Sequence, residues 1–572
     1  DDPNLKQDKQ QEKGVQAGAS AWNLIWILVD GVRSYHCPDD ELGLGRLDVM
    51  DRFAERAVEF TTMVTVAPST VMSLSSMFTS VPSYLLSRSF ETFRYDQGEF
   101  RNLGSLLAEE GYERFGVSFY REARRYFREI LKPVPARFLP SGARSWEHWD
   151  GATVETAATA VLRSSLPDPV FTFIHINGRR DPSVSDRVAR LLSVIEERGL
   201  YERSVVVMCS DHGFPDPSRK SFNELIKRRG PFYNRHDLIL TDDNVIVPFL
   251  LWYPGCRPKK VDEMASTLDV APTLLDLLGL SGQRRRLVED GAPRVQGRSV
   301  AHLLGDGLQE ESIVSGDHAN DEHVVRIDAR YLAQDHRVSG LRGRRFKYVL
   351  YHGLEDSDRE EFYDLLNDPE ETVNLIQGGD VEGTRDALDR YRRMFRESEE
   401  SAIEYQRQYL AQRCGEELPK ALGSDGLTRV EEAVAFINNS GREAELIEWG
   451  LREGLDRMGI EFTRVSLTGN ERLDFRLWLR VLKAPWSSRV LIVAYDAAFG
   501  SGRIGNRILL HLLAMCHPRF YIDINMELRR ATLGRRVRRL WYRFQDRRDV
   551  YRAHPSLFFR DCWRLLRGRV YT

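Results

Sequence analysis

Residues 23–33 read NLIWILVDGVR, and every side chain from Leu24 to Val29 is apolar before the run stops at Asp30. A strand with one wet face would alternate, so an unbroken apolar run of this length predicts a strand covered on both faces. The same texture returns in VFTFIHI (170–176), SVVVMCS (204–210) and VIVPFLLWY (245–253). Between these runs lie helical patterns such as LDVMDRFAERAV (47–58) and NLGSLLAEEGY (102–112). Strands of this kind alternating with helices predict an α/β fold, a mainly parallel sheet flanked by helices. In such sheets ligands sit outside the carboxyl ends of the strands. Three of the runs end in polar chemistry: Asp30, His175 within FTFIHI, and Asp211-His212-Gly213 after VVVMCS. If these strands are near neighbours, two acids and two histidines converge on one sheet edge.

A second stretch bears on that edge. Residues 65–80, TVAPSTVMSLSSMFTS, carry eight hydroxyl groups among Met, Leu and Phe. Pro68, Ser69 and Thr70 form a helix start, with Val71, Leu74, Met77 and Phe78 falling on one face. The residues alone leave two readings open, a helix that is merely capped and lined by hydroxyls or one that presents a nucleophile. Asp211-His212-Gly213 is equally divided: Asp211 caps a helix while Gly213 turns the chain, or the acid and the imidazole face a ligand.

Composition sets wide bounds. The chain has 572 residues, enough for several domains, with 42% hydrophobic and 29% charged residues, as ordinary globular proteins have. A net charge of −3 advertises no nucleic-acid or membrane partner for the chain as a whole. No apolar run reaches the 18 or so residues of a membrane span. The six cysteines, 37, 209, 256, 414, 516 and 562, lack paired spacings. That pattern predicts free thiols in a reducing compartment, hence a cytoplasmic location, at a membrane or away from one. The first residue is Asp, so a trimmed leader and export stay open.

The organisation predicted is a disordered polar tail at 1–20, a catalytic domain at 21–415, a small α/β domain at 424–530 and an arginine-rich helical tail at 531–572. CGEELPKALGSDGL (414–427) reads as the linker. Beyond it, AELIEWGLREGLDRMG is helical, and IEFTRVSL, SRVLIVAYDA and RFYIDI are strand-like. Gly500, Gly502 and Gly505 spell G-x-G-x-x-G, but Tyr495 to Phe499 separate them from the strand, which favours a plain glycine-rich loop over a dinucleotide fingerprint. From Arg529 to Thr572 there are fourteen arginines against three aspartates, interleaved with aromatic residues. Such a tail suits an anionic membrane surface or nucleic acid, or docks on the protein's own acidic face.

Eight stretches in order from Asn23 to Leu375 resemble the sulfatase and alkaline phosphatase superfamily. They are LVDGVR (28–33), the hydroxyl run at 70–80, FIHINGRRDP (173–182) and SDHG (210–213), then HDLILTDDNVIVPFLLWYPG (236–255), TLDVAPTLLDLLGL (267–280), QGRSV (296–300) and FYDLLNDPEETVNL (362–375). The resemblance implies an alkaline-phosphatase-like catalytic domain. Sulfatases carry a Cys or Ser that matures to formylglycine, followed by Pro and Arg; here the frame is Thr70-Val71-Met72-Ser73-Leu74, with Cys, Pro and Arg absent. Asp30 is also followed by Gly31 rather than by a second aspartate. Thr70 to Ser73 looks instead like the T-x-x-S nucleophile segment of phosphoethanolamine transferases, which makes Thr70 the implied nucleophile. FIHINGRRDP is similar to their H-x-x-G-S-H-x-P stretch, with His175 at the first histidine and Arg180 in place of the second.

By the same resemblance Asp30, Thr70, Asp211 and His212 hold a divalent metal, and the mixed carboxylate and imidazole set favours Zn²⁺ or Mn²⁺ over Ca²⁺. His175, His236 and Arg180 are the further catalytic candidates, for phosphate, leaving-group or second-metal contacts. Each of the two histidines has a plain alternative, as a core or a loop residue. Arg33, one turn from Asp30, either meets the anion or forms a surface salt bridge. The expected activity is metal-dependent phosphoester hydrolysis or phosphotransfer through a phospho-threonine, on a substrate that is soluble or linked to lipid or glycan. The alternatives are a sulfatase without formylglycine and a non-catalytic scaffold whose tail binds anions.

Overall fold

The computed structural model describes residues 21–37, 44–86, 101–120, 131–133, 136–140, 149–165, 168–178, 181–219, 236–287, 297–305, 323–331, 336–352, 360–378, 383–422, 430–436, 442–465, 490–495, 520–524 and 527–530. Arg180, the tails at 1–20 and 531–572 and the glycine motif at 500–505 lie outside them. The chain divides into two compact units, the first ending at Phe395 and the second running from Arg396 to Thr572 with two short inserts, 87–94 and 332–334.

The first unit is built on a large sheet whose strands are β1 (Asn23–Asp30), β2 (Val58–Val64), β3 (Glu113–Ser118), β4 (Lys132–Pro133), β5 (Val170–Asn177), β6 (Ser204–Cys209), β7 (Ile246–Trp252), β8 (Lys259–Val261) and β9 (Ala265–Ser266). Their order is β4-β3-β5-β1-β6-β7-β2-β8, with β9 also on β2. β1 lies between β5 and β6 and is parallel to both. β7 is antiparallel to its neighbours β6 and β2, so the parallel rule holds everywhere in this sheet except at that strand. The unbroken apolar runs are explained by burial: Leu24 to Val29 and Val205 to Cys209 are each at most 1% exposed. Helices Gly151–Arg163 and Val184–Glu197 pack their Val, Leu and Ile stripe on one face.

The helix Thr70–Thr79 is buried almost all round, not on a single face. Two of its small hydroxyl residues help make that feasible by bonding to the preceding turn. Ser75 donates to the Val71 carbonyl (2.6 Å) and Thr79 to the Ser75 carbonyl (2.8 Å). A second, antiparallel sheet in this unit runs β10 (Val325–Tyr331), β11 (His336–Arg342), β12 (Phe346–Tyr351), β13 (Glu360–Asp364) in that order.

The second unit carries a sheet ordered β15-β14-β16-β17-β18, from β14 (Glu432–Phe436), β15 (Glu461–Val465), β16 (Val490–Tyr495), β17 (Phe520–Ile524) and β18 (Glu527–Arg530). Its first four strands are parallel and β18 returns antiparallel, so this part is α/β as the sequence indicates. Two of these strands, β14 and β18, were not evident in the sequence, being short and mixed in polarity. The predicted linker is also different: Cys414 to Leu422 complete the long helix Arg385–Leu422, Pro419 included. Cys37, Cys209 and Cys256 are free thiols.

Candidate active site

The strand order decides the site. Because β5, β1 and β6 are adjacent and parallel, their carboxyl ends deliver His175, Asp30 and the Ser210–Gly213 segment to one edge. The Thr70–Thr79 helix begins at the same edge. Thr70 Oγ1 donates to Asp30 Oδ2 at 3.0 Å and lies 3.3 Å from His212 Nε2. One ligand atom each from Asp30, Asp211 and His212 fall within 4.8 Å of one another. Thus Asp30, Thr70, Asp211 and His212, from three separate parts of the chain, meet as expected.

The plain reading of Asp211-His212-Gly213, a helix cap and a turn, does not survive. Residues 211–213 begin no helix, and among the described residues Asp211 caps none. Its backbone carbonyl is instead clamped by two hydroxyls, Thr65 and Ser73, each donating at 2.7 Å. Ser73, the last residue of the T-x-x-S frame, therefore acts on the position of Asp211. Gly213 does not turn the chain through a left-handed conformation. It is needed for close approach, because a Cβ there would sit 2.2 Å from the Asp243 carbonyl oxygen. Gly213→Ala is expected to cost about 1–3 kcal/mol, as overpacking a tight site does; urea unfolding measures it, and an unchanged midpoint would contradict the close packing.

The donor atoms have the chemistry a divalent cation requires. His212 Nδ1 donates to the Gly213 carbonyl at 2.7 Å, which leaves the Nε2 lone pair facing Thr70 and the acids. Asp211 is fully buried; its Oδ1 accepts from the Gly31 amide (3.3 Å), while Oδ2 has no hydrogen-bond partner and lies 3.6 Å from His212 Nε2. A buried carboxylate oxygen without a donor is costly unless a cation meets it. The residues present fit a metal.

Electrostatics separate the two acids. Burial alone would raise Asp30, but the nearby imidazoles of His175, His212 and His236 outweigh it and hold the carboxyl at about 2. Burial pushes Asp211 up, opposed by His212. Burial would lower His212, yet Asp211 and Asp30 prevail and raise it. With no cation among them these groups lean on one another for compensation.

The remaining candidates sort differently. His175 is fully buried, with Nε2 3.4 Å from Asp30 Oδ2. His236 stands at the start of a short turn of helix, partly exposed, its ring stacked on His212 (4.8 Å, 21°) and on Phe214 (5.2 Å, 29°). Arg33 meets neither expectation. It is 1% exposed, and its guanidinium donates to the carbonyls of Phe214 (2.7 Å) and Pro215 (3.1 Å). Arg33 thus pins the loop that carries Phe214 beneath His236. Sequence reasoning did not find Asn244, fully buried, whose Nδ2 donates to the carbonyls of His236 and Ile239, each at 2.7 Å. Nothing in VIVPFLLWY or its flank signalled that role; it comes from how the loop folds back.

Comparison with known proteins agrees with this fold. Residues 182–280 match the sulfatase family, and residues 232–397 match the C-terminal region of N-sulphoglucosamine sulphohydrolase. A Δ4,5-hexuronate-2-O-sulfatase of Bacteroides thetaiotaomicron is 29% identical over 201 residues, 34% of this chain and 35% of that protein. A choline-sulfatase of Rhizobium meliloti is 25% identical over 34% of this chain and 31% of its own. Lipoteichoic acid synthase 2 of Bacillus subtilis is 25% identical over 35% of this chain and 32% of its own. The matches span about a third of the length of these relatives. A crystallised candidate sulfatase of Bacteroides thetaiotaomicron superposes with a TM-score of 0.50 at 18% identity, covering 67% of this chain and 93% of that one. The chain shares its fold with a sulfatase-like solved structure and is similar in sequence to the sulfatase family over residues 182–280.

Proposed function

We propose that this chain is a metal-dependent phosphotransferase or phosphoester hydrolase with Thr70 as its nucleophile. One observation carries the reading: at the family's nucleophile position stands a threonine hydroxyl 3.0 Å from Asp30 and 3.3 Å from His212. Formylglycine is an aldehyde made from a primary side-chain carbon. Threonine, with a methyl on the carbon that bears its oxygen, cannot yield one.

Asp30, Thr70, Asp211 and His212 would hold Zn²⁺ or Mn²⁺. When bound, such an ion lowers the pKa of a hydroxyl and neutralises charge on phosphoryl oxygens. Asp30, held at about 2, is too weak a base to keep the Thr70 proton; it orients the hydroxyl instead. Thr70 Oγ1 then forms the new bond to phosphorus as the bond to the leaving oxygen breaks; the hydroxyl proton passes to solvent, and the leaving oxygen departs with a proton of its own from a neighbouring acid. The amides at the start of the Thr70–Thr79 helix favour the anionic phosphoryl group. His236, the partly exposed imidazole beside His212, is placed to protonate the leaving group. Water or an acceptor hydroxyl resolves the phospho-threonine, giving hydrolysis or transfer.

A sulfate-ester hydrolase is the second reading, favoured by the names of the relatives, most of which are sulfatases. Side-by-side assays on nitrophenyl sulfate, nitrophenyl phosphate and bis-nitrophenyl phosphate separate the two. The expected result is turnover of a phosphate ester, lost on chelation and restored by Zn²⁺ or Mn²⁺; sulfate turnover alone overturns the phosphoester reading. Among the described residues no helix is long and apolar enough to cross a membrane. A lipid- or glycan-linked phosphoester brought to the site through the arginine-rich tail at an anionic surface is part of this proposal.

A further inference from the structure

The carbonyl oxygen of Asp211 is held from two directions. Thr65 Oγ1, just past the end of β2, and Ser73 Oγ, on the Thr70–Thr79 helix, each lie 2.7 Å from it. All three residues are fully buried. Each hydroxyl has one hydrogen to give. Thr65 Oγ1 also has the Ala67 carbonyl and Ser73 Oγ at 3.1 Å, but both contacts to Asp211 are shorter. The carbonyl goes without a donor only if both hydrogens turn to the longer contacts, and a buried carbonyl left so is costly. Its oxygen belongs to the peptide plane that joins the Cα atoms of Asp211 and His212. Fixing that oxygen therefore fixes where both side chains start.

We infer that Thr65 and Ser73 are positioning residues for the cation site: together they set the Asp211–His212 peptide, and Ser73 ties it to the helix that carries Thr70. The inference rests on the reading of Asp30, Asp211 and His212 as a cation site, and not on which group is the nucleophile. The Asp211 side chain does little to place itself, since Oδ1 meets the Gly31 amide at a long 3.3 Å and Oδ2 has no hydrogen-bond partner. The backbone must do it. Both arms of the clamp are rooted: the Ser73 amide donates to the Ser69 carbonyl and the Thr65 amide to the Val245 carbonyl, each at 2.8 Å. Thr70 and Ser73 are three residues apart on one helix, so they share a face, and the bond from Ser73 keeps the Thr70 hydroxyl in register with the two ligands. Loss of groups that orient metal ligands typically weakens metal binding about 10–100-fold. Ser76, three residues further along the helix, is a natural control, because it is fully buried and its hydroxyl meets no hydrogen-bond partner among the described residues.

The test reads Zn²⁺ affinity of the full-length apo-protein by competition with a chromophoric chelator. Ser73→Ala combined with Thr65→Ala removes both hydroxyls and is expected to bind about 10–100-fold more weakly than wild type. Ser73→Ala combined with Thr65→Ser differs from that protein by a single oxygen and should recover the affinity of Ser73→Ala alone, whose loss is smaller because one donor remains. Ser76→Ala, the same chemical change at a hydroxyl that does not reach Asp211, should bind as wild type does. Wild-type affinity in the protein lacking both hydroxyls overturns the inference and leaves the cation site standing. So does a Thr65→Ser combination as weak as the Thr65→Ala one, since packing rather than the hydroxyl would then carry the loss. Equal affinities for Ser73→Ala and Ser76→Ala also overturn it, and this pair decides alone should the protein lacking both hydroxyls not fold. A wild-type protein that binds no Zn²⁺ overturns the site and this inference together.

Discussion

Thr70→Ala is expected to lower turnover of an activated phosphate ester by roughly four to six orders of magnitude, the scale seen when a nucleophile that works as part of a unit is removed. The structure explains why the loss should fall on chemistry rather than on folding. Thr70 opens a helix that is buried from Met72 to Thr79 and packs through Met72, Leu74, Met77 and Phe78, none of which depends on the Thr70 hydroxyl. The lost group makes a single hydrogen bond, to Asp30, beside the His212 contact. The alanine protein should therefore unfold within about 1 kcal/mol of wild type, since one part-buried hydrogen bond is worth no more. Thr70→Ser, which keeps the oxygen, should retain measurable turnover. Mass spectrometry of acid-quenched enzyme during turnover should find phosphate on Thr70 in the wild type. Unchanged activity of the alanine protein, or phosphate on another residue, would remove Thr70 from the mechanism.

Lys347→Met is expected to be the most damaging single change to stability, about 3–5 kcal/mol. Lys347 is 1% exposed and reaches Asp242 Oδ1 at 2.5 Å, the Leu240 carbonyl at 2.8 Å and the Glu371 carboxylate. Arg342 adds a second cation to Asp242 at 2.8 Å, and Glu371 Oε2 accepts from the Asp242 amide at 2.8 Å. Burial would raise Asp242, but Lys347 and Arg342 outweigh it and hold that carboxyl well below the usual range. Glu371 shows the opposite balance, pushed up to about 7 by burial with Lys347 opposing. Without the ammonium two acids would face each other in a dry interior. Urea unfolding reads the loss; a change under about 1 kcal/mol would show that the cluster is hydrated or dispensable. Adding Glu371→Gln to Lys347→Met should recover part of it, because the uncompensated charge, not the missing side chain, carries most of the penalty.

That cluster also bears on function. It fixes Leu240 to Asp242 against the antiparallel sheet, and Asn244 in the same loop holds the carbonyl of His236. The segment that follows the imidazole assigned to the leaving group is therefore anchored at Asp242 by cations from the antiparallel sheet. Glu371 takes a left-handed backbone conformation, φ +56°, which a residue with a Cβ adopts only when its surroundings compel it.

The edge at which chemistry gathers was legible in the residues alone. Apolar runs at 24–29, 170–174 and 205–209 end in Asp30, run on into His175, or lead directly to Asp211 and His212, and buried strands of that kind have few ways to assemble. The threonine at the nucleophile frame was equally visible, because local sequence sets where a helix starts. What those residues touch was not. Arg33 looked like an anion ligand and is a clamp on two backbone carbonyls. Gly213 looked like a turn and is a point of contact with Asp243. Asn244 gave no signal, since its role comes from reaching the carbonyls of His236 and Ile239. Hydrophobic periodicity and strand-end polarity are properties of short windows, so the chain order states them directly. Carbonyl clamps and ion clusters arise between residues 24 to 181 positions apart, and only the tertiary packing brings those partners within bonding distance.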